Sequence, residues 1–341
     1  MASMVMVLSM TMYCPGNAEA SGAGQGPNQA TNQNEIKVTQ TKPHVAPIPT
    51  KNSPNRIMTN FNGNTQKEMG FSWYTTDRFK DAKVWVSESG RFDDAQIFNA
   101  KPKKVNSKYL ERDDSGHFIF KDVQKDDEGN VIKDKNGKEK VNGYYTDANA
   151  HGPEWTSGNE HGEATFTSQT EYTYKAKATG LKPNTKYYYK VGSLQGGQST
   201  VGQFQTSGNK GDAFKFVQYT DTQNAFWNEH VRNEAQFGAD TLNQAIQTAG
   251  NPNFALHTGD FVETSEIEDE WTDLYDQSRP SFMSLPVAAT AGNHDEHAFN
   301  EDDPKLLGQF NQHVNVPKAN NAVNGGSYYS FDYNGAHMVV A

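Results

Sequence analysis

Hydrophobic and polar residues alternate with a period of two over much of the first 207 residues. The stretches MGFSWYT (69–75) and AKVWVSES (82–89) have the alternation of short strands, and 178–193 contains a turn followed by an aromatic strand. The stretch VGQFQTSG (201–208) closes this region. Short strands separated by turn signals, without a helical period, are typical of two packed antiparallel sheets. The pattern therefore predicts a β-sandwich over residues 46–207.

The aromatic strand also carries a recognisable corner. Its spacing of Leu181, Pro183, Thr185, Tyr187 and Tyr189 resembles the late-strand corner of fibronectin type III domains. The resemblance implies that a tyrosine here ties a loop to the neighbouring strand. We therefore describe the predicted sandwich as fibronectin type III-like.

A charged insertion interrupts the sandwich pattern at about 105–166. The segment DDEGNVIKDKNGKEKVNG (126–143) is rich in charge and in glycine turns, which predicts mobile hairpins. Its Asp and Asn spacing does not match an EF-hand loop, so the sequence predicts no calcium site there.

After Thr206 the pattern changes to alternating strands and helices. Segments with helical spacing lie at 228–250 and 265–284, and Ser265 is the expected N-cap of the second, with acidic residues in its first turn. Three apolar strands each end in polar residues: AFKFVQYTDTQ (213–223), FALHTGDFVE (254–263) and LPVAATAGNHD (285–295). This alternation implies parallel strands with helical crossovers. The sequence therefore predicts an α/β domain over 210–341.

Charge is distributed unevenly between the two regions. The chain has a formal net charge of −10, and from Lys210 onward there are 6 basic and 19 acidic residues. An acidic second half would repel nucleic acid, so no nucleic-acid partner is expected. An excess of carboxylates is also what a cation site requires.

The N-terminus has features of export. An apolar run is followed by the small-x-small pattern Ala18-Glu19-Ala20, so residues 1–20 are predicted to be a signal peptide, although no Lys or Arg precedes the run. Cleavage there would remove Cys14, the only cysteine. Residues 21–45 are polar and predicted to be a flexible leader. No other segment approaches the roughly 18 apolar residues of a membrane span, and we expect a secreted or cell-surface protein.

Candidate chemistry lies where the three strands of the α/β domain end. Asp221 with Gln223, Asp260 with Glu263, and Asn293 with its neighbour His294 follow successive strands. In open α/β sheets the carboxyl ends of the strands form the ligand site, so these groups should converge. Oxygen donors and an amide suit Mn, Zn, Fe or Mg. The glycines before Asp260 and Asn293 would allow sharp turns there.

Taken together, the motifs TDTQ, HTGDFVE and TAGNHDEH, with gaps of roughly 30–40 residues, resemble those of the calcineurin-like metallophosphoesterases. A fibronectin-like domain in front narrows the resemblance to the purple acid phosphatase branch and its bacterial relatives. The resemblance covers nearly the whole chain after the leader. It implies a β-sandwich followed by an α/β metallophosphoesterase domain.

The resemblance also implies roles for particular residues at a site for two divalent or trivalent metal ions (Fe, Zn or Mn). Asp221 would bind the first ion, Asp260 would bridge both, and Asn293 would bind the second. His294 would stabilise the phosphoryl transition state or protonate the leaving oxygen, and Asp295 would orient His294. A metal-bound hydroxide would then hydrolyse a small phosphorylated substrate, by resemblance a phosphate monoester.

Two positions depart from the family pattern. Purple members carry a tyrosine three residues after the bridging aspartate, where this chain has Glu263, so we expect a colourless site. Many other members have a histidine two residues after the first aspartate, where this chain has Gln223. The amide oxygen of Gln223 would bind metal directly or through water.

The family completes its site with a further histidine and a GHxH motif, and neither precedes the end of this chain. The last residues, GGSYYSFDYNGAHMVVA, have the pattern of a hairpin entering a core strand, so we expect a C-terminally truncated and incomplete domain. His313 and His337 do not lie in the missing motifs, and His337 is expected to be structural.

Other functions remain open at this point. One is a non-catalytic surface protein with a vestigial phosphatase domain, and another is a phosphodiesterase, nucleotidase or nuclease. The metal pair, the physiological substrate and the oligomeric state are not determined by the sequence.

Overall fold

The computed structural model describes residues 5–7, 47–146, 163–225, 234–296, 308–317 and 328–340. The predicted leader and most of the predicted signal peptide lie outside these ranges. The strands are β1 (Val5–Val7), β2 (Asn55–Asn60), β3 (Met69–Thr75), β4 (Lys83–Ser87), β5 (Gln96–Asn99), β6 (Lys101–Leu110), β7 (Ile119–Val123), β8 (Val141–Thr146), β9 (Glu163–Ala164), β10 (Phe166–Ala178), β11 (Lys186–Ser193), β12 (Gly197–Gln198), β13 (Gly202–Gln205), β14 (Phe216–Tyr219), β15 (Phe254–His257), β16 (Val287–Ala289), β17 (Tyr329–Tyr333) and β18 (Ala336–Val340). The helices are α1 (Glu234–Ala249), α2 (Glu268–Gln277), α3 (Arg279–Phe282), α4 (Asn293–Glu296) and α5 (Phe310–His313).

The N-terminal region is a β-sandwich, as predicted. One antiparallel sheet has the order β2-β3-β10-β6, and in the other β11 pairs with β4, β12 and β13, while β4 also pairs with β5. The inner faces meet through aromatic rings. Phe71 of β3 lies 5.1 Å from Tyr189 of β11 and 5.8 Å from Phe204 of β13, measured between ring centroids. Because every second side chain of these strands points inward, the aromatic rings at those positions are buried between the two sheets.

Strand β3 differs from the half-buried strand that its pattern suggests, because all seven of its residues are buried. Its inward side chains include Trp73, which stacks on Tyr174 at 5.4 Å. On the outward face, the Ser72 hydroxyl donates to the His313 carbonyl oxygen at 2.6 Å, and Tyr74 stacks on the His313 ring. The second half of the chain therefore covers the outer face of this sheet.

The charged insertion begins later than its composition suggests. Strands β6 and β10 pair in continuous register from Lys101↔Lys175 to Leu110↔Phe166, so residues 105–110 belong to the sandwich sheet and the excursion spans 111–165. The buried residues Val105, Ser107 and Tyr109 alternate with polar ones, and the intervening lysines and Asn106 obscured that period in the sequence.

Within the excursion, β7 pairs with β8 and β9, and three hairpin turns share one construction. In the turns that start at Asp113, Asp126 and Asp134, the carboxylate accepts the backbone N–H groups two and four residues later, at 2.8–3.0 Å. These Asx-type bonds fix each turn locally. The hairpins are thus present, and their mobility stays a prediction.

The predicted tyrosine tie is present at the corner before β11. The backbone N–H of Lys182 donates to the Tyr187 hydroxyl at 2.9 Å, across five residues of chain. Tyr187 is otherwise packed in the core, where its ring lies 5.5 Å from that of Phe204.

Replacing Tyr187 with Phe should lower the free energy of unfolding by about 1 kcal/mol, because the ring remains packed and one hydrogen bond is lost. Urea denaturation monitored by tryptophan fluorescence would measure the change. Tyr188→Phe is the matched control, since Tyr188 points to the opposite, half-exposed face of the same strand. Equal stability of the Tyr187→Phe variant and the native chain would show that the tie is dispensable.

The second half contains the predicted parallel sheet. Strand β15 pairs in parallel with β14 on one side (Phe216↔Phe254) and with β16 on the other (Ala255↔Val287). Helix α1 connects β14 to β15, and α2 with α3 connects β15 to β16. The prediction of an α/β domain is confirmed.

The second helical segment begins later than predicted, and Ser265 is not its N-cap. Helix α2 starts at Glu268 with Ile267 in the cap position and without a side-chain cap bond. The Ser265 carbonyl oxygen instead accepts from Trp271 Nε1 at 2.9 Å. The segment also divides at Ser278, after which the short helix α3 starts with Pro280 in its first turn.

The two halves share one hydrophobic core. Phe61, just after β2, lies 5.3 Å from Phe254 of β15 and 4.9 Å from Phe331 of β17. Strand β18 pairs antiparallel with β17 and parallel with β1 (Val5↔His337). No helix among the described residues is long and apolar enough to cross a bilayer.

Candidate metal centre

The loops after β14 and β15 are joined by backbone hydrogen bonds next to the two candidate aspartates. The Asp221 N–H donates to the Gly259 carbonyl oxygen at 3.1 Å, and the Thr222 N–H donates to the Asp260 carbonyl oxygen at 3.0 Å. Because the strands are parallel neighbours, both aspartates follow strand ends on the same edge of the sheet. The structure therefore brings Asp221 and Asp260 to adjoining positions.

Both aspartates have a left-handed backbone, with φ of 55° at Asp221 and at Asp260. Aspartate tolerates this region better than most residues, but the conformation still costs free energy relative to an extended one. Such conformations concentrate at functional sites, where the surrounding structure enforces them. This shared left-handed conformation indicates that the backbone turns sharply at each aspartate and directs the carboxylate to the edge of the sheet.

The loop after β16 packs directly against Asp260. A Cβ atom added to Gly292 would lie 2.1 Å from Asp260 Oδ1, and one added to Gly259 would lie 2.7 Å from the Gly292 Cα. The backbone N–H of His294 donates to Asp260 Oδ1 at 3.0 Å. Gly259 and Gly292 thus permit the two loops to approach closely, and the loop after β16 holds one carboxylate oxygen of Asp260.

Glu263 positions the imidazole of His294. Nδ1 of His294 lies 3.0 Å from the Glu263 carbonyl oxygen and 3.3 Å from Glu263 Oε2. A carbonyl oxygen can only accept, so Nδ1 carries the hydrogen and a neutral ring has its lone pair on Nε2. Sequence reasoning identified Glu263 as a departure from the family and did not identify this contact.

The contacts of Asp295 differ from its predicted role of orienting His294. Its buried carboxylate accepts the backbone N–H groups of Phe261 at 3.0 Å, Val262 at 3.4 Å and Gly292 at 3.0 Å. It therefore joins the loops after β15 and β16. Burial raises the pKa of Asp295 to about 7, and the nearby Asp260 carboxylate adds to the rise.

A hydrogen-bonded chain behind the site fixes the first loop, and its central residue, Thr222, was missed in the sequence. The Gly259 N–H donates to His257 Nδ1 at 3.3 Å, so His257 Nε2 carries the hydrogen and donates to Thr222 Oγ1 at 2.9 Å. The Thr222 hydroxyl then donates to the Phe261 carbonyl oxygen. Burial lowers the pKa of His257 to about 3, which keeps this ring neutral.

The donor set fits a hard metal ion. Within the described ranges, Gln223 Oε1 is buried and accepts no hydrogen bond, and the same is true of Asn224 Oδ1. An uncompensated buried amide oxygen is costly unless a ligand completes its coordination. The described residues include no group of three His, Cys, Asp or Glu side chains able to hold a metal. Among the described residues, the candidate donors for an ion here are Asp221, Asp260 and amide oxygens.

The remaining candidates are less enclosed. Asn293 is exposed at the start of α4, and His294 is about one-quarter exposed. His337 pairs with Asp332 at 2.7 Å on the surface, in agreement with a structural role.

Substituting Gly292 with Ala should weaken Mn²⁺ binding, because the new methyl group would displace the Asp260 carboxylate. We expect a loss of at least about 10-fold in affinity, measured by titration calorimetry. Gly143→Ala is the control, since a Cβ at Gly143 meets nothing within 4 Å. Unchanged Mn²⁺ affinity in a folded Gly292→Ala protein would contradict this account of the Asp260 environment.

Models of two known protein families match the two halves of the chain. The model described as the purple acid phosphatase N-terminal domain matches residues 54–206, and that of the calcineurin-like phosphoesterases matches 214–339. Together these ranges include both sheets of the sandwich and all the candidate metal ligands.

Individual relatives agree with the family models. The chain is 27% identical to a protein named purple acid phosphatase 21 of Arabidopsis thaliana, over 53% of this chain and 40% of that protein. Its fold is similar to a structure of purple acid phosphatase PPD1 from yellow lupin (Lupinus luteus) seeds, with a TM-score of 0.51 and 16% identity. That similarity covers 83% of this chain and 43% of the lupin chain. The chain thus spans about two fifths of the length of each.

Proposed function

The chain belongs to the calcineurin-like metallophosphoesterases, with the N-terminal domain of purple acid phosphatases in front, and on that premise we propose that it serves the hydrolysis of phosphate monoesters. The observation that carries the proposal is the joint placement of Asp221 and Asp260. Both have left-handed backbones at adjoining strand ends, and a third loop holds Asp260 Oδ1 through the His294 N–H. This arrangement concentrates negative charge and oxygen donors at one edge of the sheet.

In the proposal, two divalent or trivalent ions, Fe, Zn or Mn, are held by oxygen donors of four residues: Asp221, Gln223, Asp260 and Asn293. When bound, the ions would supply Lewis acidity toward the phosphoryl group and lower the pKa of the attacking water. Asp260 would contribute most, because its carboxylate lies centrally between the three loops.

His294 is the proposed residue that acts on the substrate. Its Nδ1–H is engaged by the Glu263 carbonyl oxygen, which orients the ring and leaves Nε2 as the nitrogen that exchanges protons. A protonated His294 would neutralise charge on the phosphoryl oxygens or donate a proton to the leaving oxygen. Asp295 would contribute by holding the loops that carry Asp260 and His294, without contacting substrate.

The test is hydrolysis of p-nitrophenyl phosphate in titrations with Mn²⁺, Zn²⁺ and Fe³⁺. It would be run on the 341-residue chain and on the product of the complete reading frame that encodes it. Metal-dependent turnover by either supports the proposal. Silence of both with every metal would overturn it and favour a non-catalytic surface protein, whereas preference for a phosphodiester or nucleotide would reassign the substrate.

We also propose that the protein is secreted or displayed on the cell surface. Support comes from the apolar N-terminal run followed by Ala18-Glu19-Ala20. Mass spectrometry of the exported protein should find an N-terminus at Ser21. Recovery only with residues 1–20 attached, or only inside the cell, would contradict this assignment.

A further inference from the structure

A cluster of charged and titratable side chains is buried between the sandwich and the α/β half, and it includes none of the candidate metal ligands. We define this interdomain ion cluster as Arg56, Glu171, Glu268 and His313. Arg56 donates to Glu171 Oε1 at 2.5 Å and also to Glu268 Oε1, and all four side chains are at most 1% exposed. The four residues come from β2, β10, α2 and α5, so the cluster joins four elements of the two halves.

Both ring nitrogens of His313 face atoms that can only accept hydrogen bonds. Nδ1 lies 2.8 Å from the Gln309 carbonyl oxygen, and Nε2 lies 2.7 Å from Glu268 Oε1. A neutral imidazole has a single N–H and would leave one of these contacts between two acceptors. The alternative is a protonated Glu268, but its Oε1 already receives a hydrogen bond from Arg56.

The charges of the cluster balance when His313 is an imidazolium. Two carboxylates, Glu171 and Glu268, then face two cations, and no buried charge is left unpaired. Although burial opposes it, the charges of His313 and Arg56 lower the pKa of Glu268 to about 2. Tyr109 adds a neutral contact, since its hydroxyl donates to Glu171 Oε2 at 2.9 Å and accepts from Arg56.

The faces of the His313 ring are covered by aromatic rings. Trp271 stacks on one face with centroids 4.2 Å apart and planes 9° apart, and Tyr74 stacks at 4.9 Å and 25°. Aromatic faces attract a cation and exclude water. The Arg56 guanidinium lies 4.0 Å over the same Tyr74 ring, and burial raises the pKa of that phenol, which keeps it neutral.

The other charged or titratable groups near His313 bond to other atoms and do not remove the need for its second ring proton. Tyr275 donates to the His313 carbonyl oxygen at 3.1 Å, and its pKa is raised by burial. Lys175 of β10 donates to the Val314 carbonyl oxygen at 2.5 Å, at the end of α5. Asp269, beside Glu268, pairs with Arg112, and burial raises the pKa of its carboxyl to about 6.

His313 lies in a segment that is hydrogen-bonded to the outer face of the sandwich. The Thr173 hydroxyl donates to the Gln312 carbonyl oxygen at 3.0 Å, and the Asn315 amide donates to the carbonyl oxygens of Phe71 and Ala176. Along the chain, this segment (308–317) follows the loop that carries His294.

We propose that His313 is a buried imidazolium whose two N–H groups and positive charge hold segment 308–317 on the sandwich. The doubly protonated ring satisfies two acceptors and balances the charge of Glu268, so the charged ring favours docking of the segment. Acid weakens docking as the pH falls toward 2, where Glu268 becomes protonated. This inference does not depend on phosphatase activity.

The direct test is the protonation state of His313 in the native chain, observed by long-range ¹H–¹⁵N correlation spectra at pH 7. The signal would be assigned by its loss in His313→Gln or, if that variant does not fold, by contacts to the Trp271 and Tyr74 rings. Two protonated ring nitrogens are expected. A single protonated nitrogen at pH 7 would overturn the proposal.

Hydrogen exchange of the native chain and of His313→Gln at pH 7 tests the role of the ring in docking. In the variant, amides of 308–317 should lose at least about 10-fold in protection, while those of β3 and β10 keep theirs. His337→Gln, which removes an exposed histidine paired with Asp332, should leave this profile unchanged. Uniform loss across the molecule, or none, would contradict a local role of the ring.

Discussion

Asp260→Asn should lower Mn²⁺ affinity by on the order of 100-fold or more and, under the proposed function, remove metal-dependent phosphatase activity. The substitution changes charge with little change of shape. Asparagine tolerates the left-handed backbone (φ 55°), and its amide oxygen can still accept the His294 N–H. The lost negative charge is the property that a bridging ligand between two cations requires. Titration calorimetry would measure binding, and p-nitrophenyl phosphate turnover would measure activity.

Asp240→Asn is the matched control, because Asp240 is an exposed residue of α1 and its substitution changes the net charge by the same amount. Its variant should bind Mn²⁺ as the native chain does. If Asp260→Asn also retained full affinity, Asp260 would not be a metal ligand, and the proposed site would have to be abandoned. Circular dichroism would verify that both variants fold.

The second large effect is expected from Arg56→Met, which should lower the free energy of unfolding by about 3–5 kcal/mol. Arg56 is 2% exposed and pairs with both Glu171 and Glu268. Removing the guanidinium leaves these buried carboxylates with too little positive charge, and desolvation makes that costly. Urea denaturation monitored by tryptophan fluorescence would give the change.

Two comparisons isolate the cause of this loss. Lys182→Met breaks the exposed pair with Glu88 (2.8 Å) and should leave the free energy of unfolding nearly unchanged. Combining Arg56→Met with Glu171→Gln leaves Glu268 opposite the His313 imidazolium and should restore part of the stability. An effect of Arg56→Met no larger than that of Lys182→Met would show that the cluster does not hold the two halves together.

Local patterns predicted the sandwich and the parallel sheet because each depends on short-range periodicity. Strand β3 was predicted at its observed bounds, and the polar residues after β14, β15 and β16 marked the candidate site. The predicted Ser265 cap was wrong. Helix α2 begins only at Glu268, and the Ser265 carbonyl oxygen accepts from the indole N–H of Trp271, six residues along the chain.

The acidic first turn of α2 shows how tertiary contacts change the meaning of a local signal. In the sequence, Glu268, Asp269 and Glu270 are typical of solvated residues that favour a helix N-terminus. In the structure Glu268 and Asp269 pair with arginines of the first half, while Glu270 Oε2 accepts the Thr264 N–H at 2.6 Å. The same three carboxylates therefore connect the sandwich to a loop beside the candidate site.

By itself, the sequence determined the order of the elements, the nature of the donor residues and the strand ends at which they lie, because periodicity and turn chemistry act over a few neighbouring residues. Only the tertiary structure decided that Glu263 holds His294, that Asp295 joins two loops, and that His313 enters a buried ion cluster. Those contacts join residues brought together by packing. Their energetics depend on burial, which no local pattern specifies.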